Sequence, residues 1–248
     1  MNAIDMAAPI TSAMIGPMKA AGIVAACRYL SNNPPKNLTA AEAAMLSRAG
    51  IKCVVVWEGQ GDLYSSFTAA QGRSDAQDAI AQAMALRIPA GATIYFAVDF
   101  DANDSQIANG ITDYFRAVKA EMAVSPYVGG VYGNGAVCSE MLDAGLAAMA
   151  WVWAGMGTNG TPAFMGSGRW SIQQHPTTQM FGASVDGDDV KEPYGGWLLA
   201  VTTPAFPIDI KDIQSRLAAA GFYHGPIDGD FGPQSYAAMR AYQAANPV

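Results

Sequence analysis

Tyr95-Phe96-Ala97-Val98-Asp99-Phe100-Asp101 decides the fold: an apolar run ends in two acids set two positions apart. Short apolar runs bounded by turn residues read as buried strands. Outward from this one, similar runs lie at 3–6, 23–29, 51–58, 127–132, 150–154, 169–174 and 183–186, which with 93–99 makes eight. Helical stretches separate them, the pattern of a parallel sheet with crossover helices. The expected class is therefore α/β: a (β/α)8 TIM-type barrel with a small all-α module behind it.

Capping boxes Thr39-Ala-Ala-Glu42 and Ser74-Asp-Ala-Gln77 predict two helix starts, and Gly50 predicts a stop. Further helices are expected over 105–122, with Asp104-Ser105 as its cap, and 135–146. The segment 155–168 is rich in Gly, Thr and Asn without helical period, so an irregular barrel with a loop in place of one helix is expected. Two prolines in Thr202-Thr203-Pro204-Ala205-Phe206-Pro207 predict an extended linker. Beyond it, Ile210, Ile213, Leu217 and Ala220 recur at helical spacing, Gly221 ends the helix, and a second helix runs from Ser235 to Ala245. The domains are thus 1–201, a linker at 202–207, and a helical module at 208–248.

Among 248 residues, 51% are hydrophobic and 14% charged, which describes a globular chain. The net charge of −7 without a Lys/Arg cluster excludes nucleic acid as a partner. Cys27, Cys53 and Cys138 show no CxxC spacing and are expected to be buried free thiols. No apolar run reaches the roughly 20 residues a membrane helix requires. Asp5 stands where a signal peptide carries Lys or Arg, so the expectation is synthesis in the cytoplasm without an export signal and action on its target after release. A monomer without cofactor or metal is expected.

In such a barrel the reactive groups lie where strands run out into loops at the carboxyl-terminal face. Asp5, Glu58, Asp99, Asp101 and Asp186 fall at such places. Asp5 and Asp186, on the first and last strands, are expected to face each other. Alternation places Asp99 and Asp101 on one side of their strand, about 6.6 Å apart, where like charges disfavour double ionisation. A protonated carboxyl beside an ionised one is what glycosidic cleavage requires. The plainer alternative for an Asp-x-Asp after a strand is a helix cap or solvated loop, but a carboxylate inside an apolar run costs several kcal/mol unless it is paired or used. Tyr29, Trp57, Tyr132 and Trp153, at strand ends, are candidates to stack on sugar rings, with core packing as the alternative. Of Gln173 and Gln174 one must point inward; Gln173 is assigned to sugar hydroxyls.

Ile4-Asp5, Arg28-Tyr29-Leu30, Trp57-Glu58, the Tyr95 to Asp101 stretch, Gly129-Gly130-Val131-Tyr132-Gly133 and Val185-Asp186-Gly187 together resemble the glycoside-hydrolase-like family known as domain of unknown function 1906, related to the family 25 muramidases. The resemblance implies a barrel acting on a polysaccharide such as peptidoglycan, with Asp99 and Asp101 at its centre. In the muramidases a Glu proton donor stands at the position of Asp101; the shorter side chain withdraws the acid, and a misplacement of about 1 Å can cost a hundredfold in rate. The tail resembles a type-one peptidoglycan-binding domain through Ile213-Gln214, Leu217, Gly221-Phe222-Tyr223, Gly225-Pro226-Ile227-Asp228-Gly229-Asp230-Phe231-Gly232-Pro233, Ala238 and Tyr242-Gln243, shortened by one helix. In it Tyr223, Asp228 and Phe231 are expected to serve wall binding, Asp228-Gly229 as a tight turn and Phe231 as a plug between the helices. The leading expectation is an endolysin-like, bacteriolytic hydrolase of the glycan strand. Asp101 is its acid, Asp99 its stabiliser or nucleophile, and Asp5, Glu58 and Asp186 position the sugar. A wall-binding protein without chemistry is the first alternative. A peptidoglycan amidase or peptidase is the second, disfavoured because only His175 and His224 are present as imidazole ligands.

Overall fold

A computed structural model describes residues 1–153, 158–200 and 210–246. Eight strands close into a barrel in sequence order: β1 (Ala3–Asp5), β2 (Ala25–Leu30), β3 (Lys52–Trp57), β4 (Thr93–Ala97), β5 (Val128–Gly133), β6 (Met149–Val152), β7 (Ile172–Met180) and β8 (Ala183–Val190). The first seven are parallel, but β8 runs antiparallel to both neighbours, β7 and β1. This departs from the all-parallel expectation for a local reason. Only Phe181 and Gly182, both at positive φ, join β7 to β8, and such a turn makes a hairpin, whereas a parallel crossover requires a dozen or more residues.

Alternation along the strands sorts side chains into two layers. Ala3, Cys27, Val54, Val56, Tyr95, Trp151, Ile172 and Val190 pack inside the barrel, while Ile4, Val55, Trp57, Phe96, Val131 and Val152 face the surrounding helices. Cys27, Cys53 and Cys138 are free and buried, as expected.

Thr39 caps the helix Ala40–Ala49 through Glu42 N–H, and Gly50 closes it at φ 76°. The next helix, Ala69–Ala85, starts six residues before the sequence reading placed it, because Thr68 rather than Ser74 supplies the cap. Asn103, not Asp104-Ser105, caps the long helical run that passes through a π-turn at Ile107–Ile111 into Thr112–Met122. A helix also spans Thr161–Ser167, where a loop was expected; residues 154–157 of that region lie outside the described residues. Gly72, in the helix Ala69–Ala85, meets the helix Thr112–Met122 so closely that a Cβ there would collide with Tyr114 O.

Beneath the first strands, Arg28 and Glu42 form a buried ion pair, Nε to Oε1 at 2.7 Å, with Oε1 also accepting from Ile10 N–H (2.9 Å) and Arg28 Nη1 donating to Met6 O. Glu42→Gln keeps the shape but leaves the guanidinium without its counter-charge. It should cost about 2 kcal/mol, the scale of a hydrogen bond to a charged group, read as a lower urea midpoint with unchanged slope.

The tail forms a second compact unit; the linker 202–207 lies outside the described residues. Its helices, Ile210–Ala219 and Pro233–Ala245, enclose Leu217, Tyr223 and Ala238. Phe231 is half-buried and absent from this cluster, so the plug between the helices is Tyr223 instead. The organising polar residue is Gln214, which is fully buried. Its Nε2 lies 2.9 Å from Asp228 Oδ1 and 3.0 Å from Asp230 O, and its Oε1 accepts from Gly229 N–H (2.9 Å). These bonds fold the Asp228-Gly229-Asp230 turn, with Gly229 at φ 85°. Gln214→Ala should remove all of these bonds at once and destabilise the tail by roughly 2 kcal/mol. Faster amide exchange confined to residues 210–246 of the full chain would register it.

Candidate active site

At the carboxyl-terminal face of the barrel a narrow cleft is lined by Asp5, Tyr29, Val56, Glu58, Ala97, Asp99, Tyr132 and Trp151. Six strands, β1 to β6, contribute, each through an inward-facing residue near its end or just beyond. Asp5 closes β1 and is buried. Its Oδ2 accepts from Tyr29 OH (3.1 Å) and from Gln174 Nε2 (3.2 Å), and Tyr132 OH in turn donates to Gln174 Oε1 (2.9 Å). Its Oδ1 is also buried and has no partner among the described residues. Burial, and next the charge of Asp186, push the Asp5 carboxyl up to about 7. The Tyr29 hydroxyl is raised as well, chiefly by burial and then by Asp5.

Glu58 follows β3. Lys36 Nζ lies 2.8 Å from its Oε2 and 4.8 Å from the centre of the Tyr29 ring, which sets one cation among the acids. Asp99 sits in the loop after β4, where its N–H donates to Gly61 O (2.7 Å). Its carboxyl is raised by loss of hydration first and by Glu58 second. Three carboxyls thus crowd one cleft, and the like charge of Glu58 adds to burial in disfavouring the charged forms of Asp5 and Asp99.

Several sequence expectations require correction. Asp101 does not share the cleft with Asp99. β4 ends at Ala97, so strand alternation stops before these residues, and the chain turns between Phe100 and Ala102. The Asp101 carboxylate accepts from Asn134 Nδ2 (2.9 Å) and Asn159 N–H (2.8 Å), tying two loops together. Trp57 points outward into the helix layer, buried away from the cleft; Trp151 is the tryptophan that lines it. Trp153 is half-buried against the inner cluster and does not line the cleft. Gln174, not Gln173, points inward, since Ile172 faces the interior and Gln173 falls on the opposite face. Asp186 does pair with Asp5 across the β1–β8 seam, although with β8 reversed. It is half-buried and accepts from Thr177 Oγ1 without lining the cleft. Sequence reasoning missed Asp188, two residues farther on, which is fully buried. No group of three or more His, Cys, Asp or Glu among the described residues is arranged to hold a metal ion.

The family model for the Rv2525c-like, glycoside hydrolase-like domain matches residues 17–192. The chain belongs to this family. A second model, for a peptidoglycan binding domain, matches residues 208–247, so a glycoside hydrolase-like barrel here precedes a peptidoglycan-binding module. Two curated Bacillus subtilis proteins are similar: YbfG, 32% identical over 189 residues, and FadG, 30% identical over 163 residues. These matches cover 70% and 63% of this chain, and the chain spans only about a quarter of those relatives, 26% and 28%. The crystal structure of the Mycobacterium tuberculosis Tat-secreted protein Rv2525c in complex with L-tartrate shares the glycoside hydrolase-like fold, with a TM-score of 0.65 and 25% identity over 78% of this chain and 97% of that one. That comparison overturns the expectation of cytoplasmic synthesis without an export signal followed by release, because this fold is found on a secreted protein. No described helix is long and apolar enough to cross a membrane.

Proposed function

We propose that the barrel hydrolyses a glycosidic bond in the glycan strand of peptidoglycan, while the tail holds the enzyme on that polymer and raises the local substrate concentration. One observation carries this reading: Asp5, Glu58 and Asp99 share a cleft in which Asp5 keeps its proton to about 7 while the neighbouring Glu58 is paired with Lys36. Asp5 is then the proton donor to the leaving oxygen, a task that suits a carboxyl buried against aromatic side chains. Because Oδ2 already accepts two hydrogen bonds, the transferable proton sits on Oδ1, the oxygen without a partner. Glu58 and Asp99 supply the negative charge that stabilises the oxocarbenium-like centre or activates the attacking group. Tyr29, Tyr132 and Trp151 form the wall on which a sugar ring rests, and Asp186 raises the proton affinity of Asp5 through its charge.

A second reading, a wall-binding protein without chemistry, draws on Asp101: where the muramidases carry their donor, this carboxylate is occupied by Asn134 and Asn159. Purified sacculi separate the two. The hydrolase lowers their turbidity, and Asp5→Asn co-sediments with them without clearing them; equal absence of clearing by both proteins leaves the binding role alone.

A further inference from the structure

Asp188 lies one pleat below the cleft, on the inner face of β8 opposite Ala3, and none of its surface reaches solvent. It is the diagonal neighbour of Asp5 across the β1–β8 seam, a separation of roughly 7 Å between Cα atoms in such pairs, less between side chains. Trp151 Nε1 donates to its Oδ1 (3.1 Å), while its Oδ2 is buried and has no partner among the described residues. An indole N–H only donates, so Oδ1 is the carbonyl-like oxygen of this acid, and a proton belongs on Oδ2. A carboxylate with no cation beside it and one hydrogen bond is costly at this depth, whereas the neutral acid is not.

We propose that Asp188 is a positioning acid for Asp5: neutral, and fixed by Trp151, it presents its Oδ2 hydroxyl to the carboxylate that Asp5 becomes once its own proton has left. The proposal rests on the reading of Asp5 as the donor. In the transfer the Asp5 Oδ1–H bond breaks, the proton passes to the glycosidic oxygen, and the electron pair stays on Oδ1. No described residue donates a hydrogen bond to that oxygen before the transfer. Without the Asp188 hydroxyl, the new charge would stand between Asp186 on β8, Glu58 after β3 and Asp99 after β4, with Cys27 and the raised Tyr29 on β2 and Tyr132 on β5 contributing no counter-charge. Arg28, on the far side of β2, favours the Asp5 carboxylate through its charge but is engaged by Glu42, and Lys36 is engaged by Glu58. Burial, and second the charge of Asp5, raise Asp188 well above the ordinary carboxylate range, which agrees with a neutral acid. Asp188 therefore makes ionisation of Asp5 easier, and Asp5 makes ionisation of Asp188 harder.

Carboxyl carbon-13 titration of the full chain tests this without recourse to activity. In the wild type Asp188 stays protonated while Asp5 titrates. In Asp5→Asn the Asp188 resonance should titrate at lower pH, since the neighbouring charge is gone. Asp188→Asn, still neutral and still a donor, should leave the Asp5 midpoint near its wild-type position, whereas Asp188→Leu should raise it by about one pH unit, the scale of one lost hydrogen bond to a charged group. Should Asp188→Leu not fold, the comparison of Asp188 in wild type and Asp5→Asn decides. An Asp188 ionised at pH 7, an Asp188 midpoint unmoved in Asp5→Asn, or an Asp5 midpoint unmoved in Asp188→Leu would overturn the proposal. A chain that titrates as described but clears no wall would leave this proton linkage standing and remove the hydrolase.

Discussion

Asp5→Asn should lower the rate of glycan cleavage by roughly 10²–10⁴-fold, the usual contribution of a positioned proton donor, with little change in wall binding. An amide keeps the hydrogen bonds from Tyr29 and, after rotation of the side chain, accommodates Gln174, so the shape of the cleft persists while the proton is lost. Wild-type activity should fall as pH rises through about 7, where Asp5 loses its proton. Asp101→Asn should stay within roughly tenfold of wild type, since it perturbs loop hydrogen bonds worth about 1 kcal/mol each. A loss in Asp101→Asn as large as that in Asp5→Asn would return the donor role to Asp101.

The second large effect concerns stability. Asp5 binds its proton more tightly in the folded protein, at about 7, than in the unfolded chain, near the ordinary value of 3.8. The folded state thus holds more protons between these values, and its stability falls as pH rises through that window. The contribution is fully present below the unfolded value and is lost by about pH 7. The span corresponds to roughly 4 kcal/mol at 1.36 kcal/mol per pH unit. Asp188 adds a loss of the same sign. Urea unfolding at a series of pH values should show wild type weakening from pH 4 to 7 and Asp5→Asn weakening distinctly less. Parallel curves for the two proteins would show that Asp5 has no raised proton affinity in the folded state.

The first six strands were legible because each is a short, mainly apolar run, and their expected ends lie within two residues of the observed ones; β7 and β8 run six and four residues beyond theirs, because their outer parts are polar. The reversal of β8 left a trace that went unused. Only eight residues separate 174 from 183, too few for a parallel crossover. At the site, the choice of both Trp57 and Glu58 ran against the two-residue period of a strand. Val54 and Val56 face inward, so Glu58 follows them and Trp57 faces the helices. The same parity selects Gln174 over Gln173, and carries Asp186 on to Asp188 once β8 is extended to Val190. Asp99 lies in the cleft as expected, but Asp101 does not share its side, because the strand stops at Ala97 and no pattern of residue types reveals where a loop takes over from a strand. Hydrogen bonds from Asn134 and Asn159, 33 and 58 positions away, were beyond any local reading.

Mass spectrometry of the fragments released from purified peptidoglycan tests the central claim most directly. Wild type should yield muropeptides with new reducing ends, Asp5→Asn almost none, and Asp101→Asn nearly the wild-type amount. Intact glycan strands with free stem peptides, or the same reducing ends from Asp5→Asn as from wild type, would contradict the account.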